Sequence, residues 1–147
     1  INLKIIPENL FKYNTKTTTF NGSGANGGCF YKCTSLTNIP EGLFKYNTEV
    51  TSFNSVFRDC KNIIEIPEGL FKYNTKVTNF GITFYLCSGL TGESPYTIIQ
   101  VDGVDTKVHL YERSKYPEHF TAPTSYSDCF YNCKKLTDYN SLPYNWN

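Results

Sequence analysis

Six cysteines and two histidines are the side chains of greatest chemical range in this chain of 147 residues. Cys29 and Cys33, and again Cys129 and Cys133, form Cys-x-x-x-Cys pairs, a spacing that zinc accepts. The two pairs lie far apart in sequence, so no metal site is expected from them. His109 and His119 are the only imidazoles. A cysteine nucleophile needs one of them beside an exposed, activated thiol, and nothing in the spacing provides that. His109 alternates with Val108 and Leu110 and reads as an outward strand residue, and His119 as a solvated one. Glu8, Glu41 and Glu68 suggest paired acid–base chemistry until their positions are compared. Each precedes a lysine (Lys12, Lys45, Lys72) by four residues, as on a solvated helical face. A catalytic site is normally unique, whereas these carboxylates recur. Gly22, Gly24, Gly27 and Gly28 precede no Lys-Ser/Thr and make no phosphate loop. No catalytic residue, cofactor or metal is expected.

The elements that must position these residues come from an internal repeat. Ile-Pro-Glu-Gly-Leu-Phe-Lys-Tyr-Asn-Thr opens at Ile39 and at Ile66, 27 residues apart, and a near copy with Asn9 for Gly opens at Ile6. Interleaved with it is Phe-x-x-Cys-x-x-(Leu/Ile). It occurs at Phe30, Cys33 and Leu36, at Phe57, Cys60 and Ile63, at Phe84, Cys87 and Leu90, and at Phe130, Cys133 and Leu136. These twelve residues are the expected core ladder, with the four thiols packed as small apolar groups. Cys29 and Cys129 take the place of Val56 and Thr83, and all six thiols are expected to be buried and free. The Gly-rich patch 21–28 lengthens one repeat by a loop, which also holds a glycosylation sequon at Asn21.

Within one repeat, Pro40 ends a short strand at 36–39 and opens a turn. Residues 50–53 alternate as a second short strand, and 54–60 suit a brief helix with Val56, Phe57 and Cys60 on one face. One repeat cannot bury that face alone, but identical repeats piled together can, which is the physical basis of a solenoid. The pattern fails at 91–125, where 96–101 and 107–111 flank Asp102-Gly103 as a β-hairpin and 114–120 suit one helical turn. It resumes at 126 and ends in a cap. The expected fold class is therefore α/β, a solenoid of about four short coils, with a hairpin excursion before the C-terminal cap. The domain reads as regular coils at 1–90, the excursion at 91–125, and the last coil and cap at 126–147. The chain contains no Met, so Ile1 is expected to be a processed terminus or the edge of a longer protein.

The unit Val-Thr-x-φ-x-x-x-Phe-x-x-Cys-x-x-Leu, where φ is apolar, runs from Val50 to Ile63 and again from Val77 to Leu90. In it the chain resembles the BspA-like leucine-rich repeats and the related mycoplasma-type surface lipoprotein repeats, over 1–91 and 126–143. The resemblance implies a right-handed leucine-rich-repeat stack. It also implies a bacterial cell-surface or secreted adhesion module, and it assigns no ligand.

Lys+Arg 14 against Asp+Glu 13 leaves a net charge of +1, so no nucleic-acid partner is expected. No apolar run approaches the ~20 residues of a membrane helix, so no membrane insertion is expected. The residues left for recognition are aromatic. Tyr13, Tyr46 and Tyr73 recur in Lys-Tyr-Asn and align as a stripe. They either present rings to a protein or a sugar or pack along the repeats while the asparagines satisfy turn carbonyls. The packing reading weighs more, because repeat positions encode packing. Tyr111, Glu112, Arg113, Tyr116 and His119 break the symmetry of the repeats and stand beside the stripe as contacts. The expected function is non-catalytic binding to a host or cell-surface protein, or to a glycan. A passive spacer without a ligand is the alternative.

Overall fold

The computed structural model describes residues 2–22 and 27–147. Gly24, the sequon's Ser23 and the middle of the Gly-rich patch fall outside the described residues. The leucine-rich-repeat solenoid of the α/β class does not form. Among the described residues there is no α-helix. Extended strand is confined to one antiparallel hairpin, β1 (Tyr96–Val101) and β2 (Val104–His109), beside two 3₁₀ helices at Leu110–Lys115 and Tyr139–Ser141. The strand expected at 50–53 shrinks to a single position. Ser52 bridges Thr19 and Asn79 in parallel, and Asn79 in turn bridges Ser125.

The helix expected at 54–60 is broken by backbone geometry. Ser55 and Asp59 both have φ of 63°, Ile82 and Leu86 hold φ of 46° and 62°, and Asp128 holds 55°. A right-handed helix excludes such residues. Ser55 and Asp59 donate to the Gly81 and Tyr85 carbonyls of the next copy, and Ile82 and Leu86 donate to Ser127 and Tyr131. The copies are joined by these cross-bonds and by consecutive turns. The turn after Ile39 follows the same logic. Leu43 N–H closes onto Pro40 O with Gly42 at φ 72°, the sign that a type II turn needs at its third residue. Asn9 holds the same place at φ 60°, because asparagine tolerates the left-handed region better than other side chains.

Side chains line up with the backbone. Phe30, Phe57, Phe84 and Phe130 form a column, with successive centroids 5.3, 5.4 and 5.9 Å apart and rings within 9° of parallel. Trp146 closes the column at 6.2 Å from Phe130. A second column runs through Phe11, Phe44 and Phe71, and a third through Phe20, Phe53 and Phe80. All twelve predicted ladder residues are buried. Each offset-stacked ring adds about 0.5–1.5 kcal/mol to the area it buries.

The thiols follow the same register. Cys60 Sγ donates to Phe30 O and Cys87 Sγ to Phe57 O, both at 3.0 Å, and Cys133 Sγ donates to Phe84 O at 3.1 Å. All six cysteines are free, and five are buried. Cys29 departs from expectation: it is exposed. Its counterparts Val56 and Thr83 lie between two copies, whereas Cys29 belongs to the outermost one.

Candidate functional site: a groove between the repeats and the hairpin

The asparagines of the second and third Lys-Tyr-Asn are the girders of this face. Asn47 Nδ2 donates to Phe11 O and Asn14 O at 3.0 and 2.9 Å. Asn74 Nδ2 does the same to Phe44 O and Asn47 O at 3.1 and 2.9 Å. Their Oδ1 atoms are buried without a partner, a desolvation cost of about 1–3 kcal/mol at each rung. The next rung is not an asparagine. Arg113, 1% exposed, reaches in from the 3₁₀ helix and donates to Asn74 O and Phe71 O at 3.0 and 2.9 Å. Its guanidinium lies between the rings of Phe120 and Phe80, at 4.4 and 5.3 Å from their centroids. No carboxylate pairs with it among the described residues, and burial pulls its pKa below the ordinary arginine value. Arg113 is therefore an internal anchor for the excursion and not the surface contact expected.

With the asparagines turned inward, the residues beside them face outward along a groove of about 620 Å³. One wall presents Glu8, Glu41 and Glu68 in a row beside Lys45, Tyr46, Lys72 and Tyr73, and Ile98 of β1 stands opposite. The predicted four-residue Glu–Lys pairing is absent, because 41–45 and 68–72 are turns and not helix. The ammonium groups rest on aromatic faces instead. Lys45 Nζ lies 5.7 Å from the Tyr46 centroid and 5.9 Å from that of Tyr73, and Lys72 lies 5.8 Å from Tyr73. Glu8, Glu41 and Glu68 take part in no ion pair among the described residues. Tyr46 and Tyr73 are 37% and 44% exposed. Tyr13, at 87%, lies at the end of the stripe and does not line the groove.

A second hollow of about 330 Å³ continues the first past Tyr73 and Lys72, under Ile98, Ile99 and Gln100 of β1, to His119 and Phe120. The structure thus brings Tyr46, Tyr73 and His119 onto one concave surface. Tyr111, Glu112 and Tyr116 are not on it. Tyr116 is half-buried and joins the anchor, its carbonyl accepting from His119 N–H and Phe120 N–H.

Tyr111 and Glu112 belong to a joint at the base of the hairpin. Tyr111 stacks on the His109 ring, 5.0 Å away and 10° from parallel. Burial and the nearby carboxylates push its phenol up to about 12. His109 is not the outward residue expected: its side chain is 12% exposed. Nε2 contacts Glu93 Oε1 at 2.8 Å, Nδ1 contacts Glu112 Oε2 at 3.1 Å, and Asp138 Oδ2 lies 3.8 Å from Nε2. One ligand atom from each of Glu93, His109 and Asp138 falls within 4.8 Å of the others, a spacing that fits a single divalent cation. Lys107 already bonds Glu93 at 2.8 Å, and Ser94 holds both Asp138 oxygens, so the same groups also close as a purely protein joint. Sequence reasoning missed this meeting because Asp138 lies 44 residues beyond Ser94. Burial pushes the Cys60 and Cys133 thiols up to about 12 and Cys87 well above its ordinary value, which disfavours the thiolate at these three positions.

No family model matches the chain, and no curated protein sequence is similar to it. No helix among the described residues is long and apolar enough to cross a membrane.

Proposed function

We propose that this chain is a non-catalytic binding module whose ligand, a protein or a glycan, lies along the groove between the repeat face and β1. The observation that carries the reading is duplication. Glu41, Lys45 and Tyr46 and then Glu68, Lys72 and Tyr73 offer the same carboxylate, ammonium and ring in successive copies, and Glu8 extends the row. A surface that repeats its chemical groups suits a ligand that also extends, and an aromatic face bordered by charged groups suits a sugar ring or a peptide. Display outside a bacterial cell is part of the same proposal and rests on the resemblance to surface lipoprotein repeats. The test is an array of glycans and cell-surface proteins probed with the native chain and with a Tyr46→Ala/Tyr73→Ala variant. The native chain is expected to retain at least one ligand, with affinity falling at least tenfold in the variant. A blank array from the native chain would favour the passive spacer. Undiminished binding by the double variant would move the site off the groove.

A further inference from the structure

We infer that the groove takes an extended peptide segment of a partner protein, which adds to the free edge of β1 as a third strand. This rests on the groove being the binding site and goes further by choosing peptide over glycan. The choice comes from the backbone of the hairpin. Its register pairs Thr97 with Val108, Ile99 with Thr106 and Val101 with Val104, and Leu110 N–H donates to Pro95 O one pair further on. Hydrogen-bonded and non-bonded pairs alternate in an antiparallel ribbon. The N–H and C=O groups of Tyr96, Ile98 and Gln100 therefore point away from β2.

That outer edge faces the repeats, because Tyr96 O accepts the Gly69 N–H at 3.0 Å. Beyond this one bond the two walls part. The outward N–H and C=O of Ile98 and Gln100 have no partner among the described residues, and Ile98 lines both hollows. Two donors and two acceptors alternating at two-residue intervals along one line match the backbone of an extended chain. Sugar hydroxyls have no such fixed alternation. The outer edge of β2 leaves Asp105 and Lys107 equally open among the described residues, but it borders no hollow: none of the groove's residues lies on β2.

Charge selects among peptides. Three carboxylates (Glu8, Glu41 and Glu68) line the groove against two ammonium groups (Lys45 and Lys72), and the carboxylates take part in no ion pair among the described residues. Ile99, Phe120 and Tyr73 make the second hollow largely apolar. A strand that alternates a basic with an apolar residue satisfies both walls.

Short synthetic peptides alternating Lys with Val or Phe provide the probe. Titration into the native chain should show saturable binding, weakened at least tenfold by Tyr46→Ala/Tyr73→Ala. N-methylation of the peptide at every second residue, in the frame that faces β1, should lower affinity by about tenfold, while the other frame changes it little. The amides of Ile98 and Gln100 should gain protection from hydrogen exchange in the complex. Equal tolerance of N-methylation in both frames, or no added protection at Ile98 and Gln100, overturns strand addition while leaving the groove reading intact. Saccharide binding that depends on Tyr46 and Tyr73, with none of these peptides bound, also overturns it. Peptide binding indifferent to the tyrosine variant sinks the groove reading itself.

Discussion

Residues 39–90 and residues 91–125 solve one physical problem in two ways. Between copies, every need is met by the equivalent residue next door. The Asn74 amide serves the carbonyls of Phe44 and Asn47 as the Asn47 amide serves Phe11 and Asn14, and each Phe stacks on its own counterpart. The excursion has no counterpart to call on and uses single, dissimilar residues. Arg113 supplies the two donors that the next asparagine would have given, and His109 gathers carboxylates from three separate stretches. A periodic surface makes a straight wall with repeated groups, and a one-off insertion makes the opposing wall. Neither alone encloses a groove.

Removing a ring from the periodic part should have the largest consequence. Phe57→Ala opens a void in the middle of the column and is expected to cost about 3–5 kcal/mol in chemical denaturation. A cost under about 1 kcal/mol would show that the column does not carry the fold.

Next comes the equivalence of the two rungs. Arg113→Ala and Asn74→Ala each remove two hydrogen bonds to buried carbonyls, of which Phe44 O, Asn47 O and Phe71 O each keep a backbone donor, and each should cost about 1–3 kcal/mol by the same measurement. If Arg113→Ala is neutral while Asn74→Ala is not, the excursion is merely draped over the repeats and not plugged into them.

Acid should act on the hairpin joint and not on the columns. At Glu93 burial works to raise the carboxyl pKa, but hydrogen bonds from Lys107 and His109 outweigh it and hold the group below the ordinary range. At Glu112, burial is likewise outweighed by His109 and Lys115. A carboxylate whose pKa is lower in the folded state contributes stability that is present above its unfolded pKa, about 4.3, and lost as pH falls through the folded value. Solvent screening keeps this to about 1 kcal/mol or less. Amide exchange followed below about pH 4 should show β1 and β2 opening before the repeats. Simultaneous opening would deny the two regions their independence.

The smallest effect tests the turn. Gly42→Ala places a side chain at φ 72° and should cost about 1 kcal/mol. Gly42→Asn should cost less, since Asn9 already occupies the equivalent place.

Part of this architecture is legible in the residues. Pro-Glu-Gly marks the turn, Asp102-Gly103 takes positive φ at both positions as a tight hairpin turn requires, and the Phe, Cys and Leu positions fall in the core. The helix at 54–60 was misread because apolar residues spaced as Val56, Phe57 and Cys60 fit a helical face and a run of turns equally. What separates the two is left-handed backbone at Ile82 and Leu86, residue types that resist it. Their N–H groups bond to the next copy, as those of Phe80 and Phe84 also do, and such bonds are invisible one repeat at a time. Of the candidate groove, Tyr46, Tyr73 and His119 are the lining residues that the sequence singles out. Arg113 was misplaced because a charged residue in a loop ordinarily faces water, and His109 because strand alternation says nothing about where Asp138 arrives.

The in-register packing of copies, on which the groove depends, is most directly tested by nuclear Overhauser contacts among selectively labelled phenylalanine rings in the native chain. The Phe57 ring should show contacts to both Phe30 and Phe84, whose centroids lie 5.3 and 5.4 Å away, with none between Phe30 and Phe84. Phe57 lacking either contact, or Phe30 touching Phe84 directly, would contradict the account.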